Sequence, residues 1–358
     1  MTTTTGSTAG AAPTGPAPAK ETGAALGRLL FGFFPTQVLH VAATLGLVDH
    51  LADGPRTVED LARATGTHGP SLHRVLRALA CFGVLDEVAP GTYGRGRHAD
   101  GLAEGGPSSM VHLVRLFAGR DVWRSWGELD ETVRTGEPAW HRVTGASSFE
   151  TFAADPEQQA SFNKAMAEGT RRAAPGIVAA GRFERFSTVV DVGGGDGTLL
   201  AAVLAAHPDL RGTVFDTPSG VAGADRTLAD AGVADRASVA TGDFFGSVPT
   251  GADAYLVKSV VHDWDDERAT QLLRRVHEAA TDESALLVVE PLMPTAPAAS
   301  PEVLMLVMSD LNMLVCTGGR ERTEAEMRDL LAGAGFEVRS VTPAPGSAYN
   351  VVEAVPVA

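Results

Sequence analysis

The chain has 358 residues, 44% hydrophobic and 20% charged, with 29 basic against 44 acidic side chains and a formal charge of −15. That apolar share excludes a chain disordered throughout, and so acidic a surface repels phosphate backbones and argues against a nucleic-acid partner. No apolar run reaches the roughly 18–20 residues of a membrane span. The two cysteines, Cys81 and Cys316, form no CxxC pair, which argues against a disulfide scaffold or a structural zinc site and for a reducing cytoplasm.

Residues 1–22 are rich in Thr, Ala, Gly and Pro, without a basic n-region or an apolar h-region. They read as a disordered tail rather than a signal peptide. From about Ala24 to Asp53, Leu29, Phe33, Val38, Val41, Leu45 and Val48 recur at helical spacing. So apolar a helix suits either an interface with a second chain or ordinary core packing. Thr57 then caps a short helix ending at Gly66, and Gly69-Pro70-Ser71 opens another, with Leu72, Leu76 and Leu79 on one face. A small hairpin around Pro90-Gly91 completes a winged-helix pattern over 23–107. Its second helix carries His73, Arg74 and Arg77 with no flanking basic run, so dimerisation fits it better than DNA reading.

Residues 108–180 read as helical and hold Trp123, Trp126, Trp140, Phe149, Phe152, Phe162 and Met166, partly core and partly available to line a pocket. From 181 to 358 short apolar strands alternate with helices, the pattern of an α/β doubly wound sheet. The strands are Thr188–Val192, Thr213–Phe215, Ala237–Thr241, Ala254–Val257 and Leu286–Val289. Two more, near Phe336–Val341 and Asn350–Val355, close an edge.

The first strand runs into Asp191-x-Gly193-x-Gly195-x-Gly197, where backbone N–H groups can approach a ligand. A dinucleotide fingerprint needs Gly at 198, and Thr198 stands there, which weakens a nicotinamide or flavin reading. Asp216 ends the second strand, 23 residues after Gly193, where an acid can accept from ribose hydroxyls. Asp243 can accept from an adenine amine and Phe244 can pack on its ring. Ligands in such sheets sit beyond the strands' carboxyl ends, so Asp191, Asp216, Asp243, Lys258 and Glu290 point to one crevice.

Val190-Asp191-Val192-Gly193-Gly194-Gly195-Asp196-Gly197, Phe215-Asp216, Gly242-Asp243-Phe244-Phe245 and Lys258-Ser259-Val260-Val261-His262-Asp263-Trp264 resemble the S-adenosylmethionine-dependent O-methyltransferases. The subgroup is the plant phenolic type with its actinobacterial polyketide-tailoring relatives. Phe162-Asn163-Lys164-Ala165-Met166, Asp310-Leu311-Asn312-Met313-Leu314 and Gly318-Gly319-Arg320-Glu321-Arg322-Thr323 extend the resemblance from about Phe31 to Val352. It implies a winged-helix dimerisation domain, hence a homodimer, and a Rossmann-like catalytic domain. It also implies that Gly193, Asp216, Asp243, Phe244 and Lys258 hold S-adenosyl-L-methionine, which leaves as S-adenosyl-L-homocysteine. Asp191 and Gly195 of the same loop join that set.

Methyl transfer to a hydroxyl needs a base, because a phenol with a pKa near 10 is mostly protonated at neutral pH. His262, between the fourth strand and the next helix, is the candidate. A catalytic histidine needs an orienting acid. Glu290, after four apolar strand residues, and Glu321, just before a Thr323–Glu326 capping box, are the candidates. In the resembled family two glutamates at these motif positions flank the base. Asp263 is open between a helix-start carboxylate and a site residue. Phe162 and Met166, with Met308 and Asn312 of the apolar helix 301–315, are candidates to line an aromatic acceptor's pocket; core packing by that helix is the alternative. No metal is expected. Two other readings stay open: a methyltransferase-like hydroxylase, decarboxylase or cyclase using the cofactor in an auxiliary role, and a ligand-sensing winged-helix regulator.

Overall fold

The computed structural model describes residues 19–296 and 299–357. The expected tail lies outside the described residues up to position 18, whereas 19–22 already belong to helix α1 (Ala19–Leu30). The single helix expected over 24–53 is corrected to α1, α2 (Phe33–Thr44) and a 3-10 turn, Asp49–Leu51. Pro35 accounts for the first break. It has no N–H to donate, which a helix tolerates only in its first turn, so a new helix starts two residues before it.

β1 (Arg56–Thr57), α3 (Val58–Thr65), α4 (Gly69–Cys81), β2 (Leu85–Ala89) and β3 (Thr92–Arg95) complete the winged helix, with strand order β1-β3-β2. Thr57 caps α3 as read, its Oγ1 accepting from the Asp60 N–H at 3.1 Å, a contact worth about 1 kcal/mol. Leu72, Leu76 and Leu79 pack into one core with Leu47, Leu51, Leu61 and Leu85. The second half of α2 joins this core through Ala42, with Val38 and Leu39 against it, but α1 and the start of α2 stay outside. Leu26, Leu29, Leu30, Phe31, Phe33 and Phe34 are 46–71% exposed. Phe33 leans on exposed Trp123, ring centroids 6.1 Å apart. Clustered apolar exposure of this kind marks an interaction surface.

Six helices follow: α5 (Val111–Phe117), α6 (Arg120–Trp126), α7 (Leu129–Thr135), α8 (Ala139–Thr144), α9 (Ser148–Ala154) and α10 (Pro156–Ala180). The sheet is built by β4 (Thr188–Val192), β5 (Arg211–Asp216), β6 (Ala237–Thr241), β7 (Ala254–Lys258), β8 (Ala285–Pro291), β9 (Phe336–Pro343) and β10 (Tyr349–Pro356). Between them lie α11 (Thr198–Ala206), α12 (Ala224–Asp230), α13 (Asp266–Ala279), α14 (Pro301–Cys316) and α15 (Glu324–Gly333). Strand order is β6-β5-β4-β7-β8-β10-β9, parallel through β8, with β10 antiparallel to both neighbours. β7 and β8 are apolar without alternation because each face of the sheet carries its own core. From β4 the chain winds outward through β5 to β6, then returns to β7. That reversal is the topological switch point, and a ligand in a doubly wound sheet sits there, beyond the carboxyl ends of the strands.

Candidate active site

One side of the crevice is built by the turn after β4. A side chain at Gly193 (φ +71°) would need left-handed backbone and would meet Val260 Cγ2 at 2.6 Å, so only glycine fits. The Gly193 N–H donates to the Phe215 carbonyl at 2.8 Å, closing the loop against β5. Gly195 and Thr217 N–H donate to the Asp216 carboxylate at 3.0 and 2.6 Å. Burial nevertheless holds Asp216 above the usual carboxylate range, outweighing those bonds. Asp191 is 2% exposed and its Oδ2 has no partner among the described residues. Burial first, then the Asp216 charge, push its carboxyl up to about 7. A carboxyl oxygen buried without a donor is costly, so one kept at the strand end fits a ligand that brings N–H or O–H groups.

Lys258, at the end of β7, donates from Nζ to Thr170 Oγ1 of α10 at 3.2 Å and stands 4.9 Å from the centre of the Tyr349 ring. Asp243, beyond β6, is exposed and accepts from the Phe245 N–H at 2.9 Å. Phe244 lies edge-on to Phe245. Thr170 and Tyr349 escaped the reading of the sequence, since nothing local to them announces Lys258.

The other side holds the imidazole. After β7 the backbone passes through Ser259 in a left-handed conformation (φ +53°) and enters the short turn Val261–Asp263 that presents His262. Glu290, in β8 and 1% exposed, points one oxygen at this turn: Oε1 accepts from the N–H groups of Val260, Val261 and His262 at 3.1, 3.0 and 3.3 Å. Its Oε2 lies 3.5 Å from His262 Nδ1. Glu321, also buried, accepts on Oε1 from His262 Nδ1 at 3.0 Å and from the Ser309 hydroxyl at 2.7 Å. Its own N–H donates to Asp310 at 2.8 Å.

The Glu321 hydrogen bond on Nδ1, with the Glu290 Oε2 charge 3.5 Å from the same nitrogen, assigns the ring proton there and leaves Nε2 as the basic nitrogen. Nε2 has no hydrogen-bond partner among the described residues; Asp263 Oδ1 is 4.0 Å away. Burial by itself depresses the imidazole's proton affinity. Glu290, the Glu321 bond and Asp263 more than reverse this, raising it well above 6.5. Burial lifts Glu290 to about 7 and Asp263 to about 6, against the pull of His262. Donor atoms of His262, Glu290 and Glu321 lie within 4.8 Å of one another, and each glutamate already commits one oxygen to N–H or O–H donors. Ser309 and Asp310 had a sequence signal, polar residues in an otherwise apolar helix.

Phe162 stacks on Phe152 at 4.6 Å between centroids and meets Phe149 edge-on. Phe149 stacks in turn on Trp264, two residues beyond His262, at 5.3 Å. This aromatic run links α10 to the base turn. Met166 is half-buried on the same helix, and Met308 is exposed on α14. Asn312 departs from expectation. Its Oδ1 accepts from the Trp126 indole N–H at 3.0 Å and the Cys316 thiol at 3.6 Å, because α6 packs against α14, so only its amide N–H groups remain free of that pairing.

A Rossmann-like sheet with a glycine cradle at its switch point, and an acid-held imidazole facing it, defines a cofactor-dependent group-transfer enzyme. The chain belongs to the S-adenosylmethionine-dependent O-methyltransferases. The O-methyltransferase domain profile matches residues 126–337, and the O-methyltransferase dimerisation domain profile matches 28–105. Phenazine O-methyltransferase PhzM of Lysobacter antibioticus is 39% identical over 330 residues, 92% of this chain and 95% of that protein. The crystal structure of LaPhzM superposes with a TM-score of 0.90 at 38% identity, covering 94% of this chain and 99% of that one. The neocarzinostatin-biosynthesis O-methyltransferase NcsB1, solved with S-adenosylmethionine and 2-hydroxy-5-methyl naphthoic acid, gives 0.76 at 36% identity over 90% and 96%. Aclacinomycin 10-hydroxylase RdmB of Streptomyces purpurascens is 36% identical over 318 residues, 84% of this chain and 81% of that protein. Among the described residues no helix is long and apolar enough to cross a membrane.

Proposed function

We propose that the chain methylates a phenolic hydroxyl on a flat aromatic secondary metabolite, with His262 as general base. The observation that carries this reading is the His262 ring, held on Nδ1 by two buried glutamates with Nε2 left unpaired. Bound S-adenosyl-L-methionine supplies a methyl group on a sulfonium and departs as S-adenosyl-L-homocysteine. Asp191, Gly193, Gly195, Asp216 and Lys258 would hold it at the switch point, with Asp243 and Phe244 toward its adenine. The open oxygen of Asp191 and the glycine cradle fit such a ligand.

The acceptor's hydroxyl proton passes to Nε2, and Glu321 and Glu290 stabilise the imidazolium that forms. A positioned base contributes about 10²–10⁴-fold. Phe162, Met166 and Met308 flank the acceptor, and the Asn312 amide is left to donate to it. Held orientation then adds to the rate by removing translational and rotational freedom beforehand. The exposed apolar side chains of α1 and α2 support a homodimer through the dimerisation domain. Both cysteines are free thiols, in keeping with a cytoplasmic enzyme.

The test is a panel of phenols, hydroxyphenazines, hydroxynaphthoic acids and anthracyclines with methyl-labelled cofactor. The expected product is a labelled methyl ether, lost in His262→Ala. The hydroxylating relative supplies the second reading, and a product that gains oxygen and no label would favour it.

A further inference from the structure

One charged side chain beside the base is more deeply buried than anything in the chemistry above requires. Arg322, next to Glu321, has a side chain 1% exposed. A guanidinium is a planar fork of donors with no acceptor of its own, so burying it demands several converging oxygens. Here they converge from one short segment. Nη1 donates to the Val261 carbonyl at 3.0 Å and Nη2 to the Trp264 carbonyl at 2.9 Å, the two sides of His262. Nε and Nη2 both donate to Asp266 Oδ1, at 2.9 and 2.8 Å.

The neighbouring residues act on the same turn. The Arg320 N–H donates to the His262 carbonyl at 2.8 Å. A Cβ on Gly319 would run into that carbonyl oxygen, so the segment 319–322 can lie this close only with glycine there. Capping of α13 does not account for Arg322, because Asp265 already caps that helix through the Arg268 N–H at 2.8 Å.

We propose that Arg322 is a positioning residue, whose guanidinium clamps the turn Val261–Trp264 so that His262 keeps Nδ1 on its glutamates and Nε2 toward the acceptor. This rests on His262 being the base. Residues 319–322 then work as a unit: Glu321 holds the ring, Arg320 the carbonyl and Arg322 both flanks. The charged groups facing the ring are Glu290 from β8, Glu321 from the segment 319–322 and Asp263 from the turn itself, with Lys258 acting on Asp263.

The first readout follows the ring directly and needs no acceptor. In ¹⁵N-histidine-labelled enzyme, the His262 signals are assigned by their loss in His262→Gln and titrated with pH. In Arg322→Lys the midpoint is expected to move toward the ordinary 6.5 by at least about half a unit, with the two tautomers mixing. Calorimetric affinity for S-adenosylmethionine is expected to stay within about twofold, and turnover to fall about tenfold or more. Arg236→Lys is the control: Arg236, half-buried, likewise clasps three carbonyls, those of Leu204, His207 and Leu210, away from the site. It is expected to lower the melting temperature without moving the His262 titration. An unchanged titration and tautomer in folded Arg322→Lys overturns the proposal, as does an equal change in Arg236→Lys. Should Arg322→Lys fail to fold, Asp266→Asn loosens the same clamp from its exposed side. It must then show a smaller shift in the same direction, and no shift overturns the proposal. Full turnover in His262→Ala would instead remove the base assignment itself. Lost turnover there with an unaltered Arg322→Lys removes only the clamp.

Discussion

The two ends of the crevice are built on different principles. At the base end, the backbone N–H and carbonyl of His262 and its Nδ1 are all held by other parts of the chain. Among the described residues Nε2 is the one nitrogen of His262 without a hydrogen-bond partner, and the second oxygens of Glu290 and Glu321 beside the ring are unpaired too. At the donor end polar atoms wait: among the described residues Asp191 keeps an unpaired oxygen, and Lys258 reaches a threonine hydroxyl and a tyrosine ring but no carboxylate within bonding distance. A group that must present one lone pair in one direction is held beforehand, so that no reorganisation is needed during reaction. Groups that meet an arriving ligand keep hydrogen-bonding capacity in reserve.

The strongest way to break this contrast is His262→Ala. Turnover should fall by about 10²–10⁴-fold, with affinity for S-adenosylmethionine unchanged by calorimetry; an equal loss of affinity would mean the two ends are one unit. Asp216→Ala should do the reverse. Losing a charged acceptor weakens cofactor binding by roughly 10–100-fold, from about 1.5–3 kcal/mol, with turnover at saturation little altered.

Glu321→Gln sharpens the comparison through pH. The active form of the base is neutral imidazole, and the surrounding acids raise its proton affinity well above 6.5. Turnover of the unaltered enzyme should therefore climb through a midpoint above pH 6.5. In the variant the plateau falls by about tenfold and the midpoint moves down. A stationary midpoint would show that Glu321 does not bear on the ring.

Asp191→Asn has the smallest effect, and on stability. The Asp191 carboxyl is held at about 7 against 3.8, so the folded chain keeps a proton that the unfolded chain has lost. Its contribution to stability therefore falls as pH rises from about 4 to about 7. Asparagine has no such proton, so above pH 7 the ligand-free variant should be more stable, by about 1 kcal/mol, while binding the cofactor less tightly. Thermal melts at pH 5 and pH 8 check this; a less stable variant at pH 8 would mean Asp191 is already satisfied.

Much of the sheet was legible beforehand. Thr188–Val192 and Ala237–Thr241 are strands over the residues read for them, because short apolar runs ended by glycine or aspartate leave few other options. Capping at Thr57 and Thr323 was equally plain, being a contact between residues three apart. The break before Pro35 was missed because apolar periodicity runs across it. β1 was missed because two residues cannot show an alternation. Arg322 was missed because an arginine beside a glutamate reads as a surface pair until its oxygens are found.

From the residues alone came the family, the cofactor, the order of elements and the polar side chains at the strand ends, since each depends on neighbours in the chain. Folding alone decided which nitrogen of His262 is free and which glutamate oxygens reach the ring. Those acids arrive from 28 and 59 residues along the chain. A hydrogen bond is made or lost within a fraction of an ångström, a tolerance that spacing in a sequence does not carry.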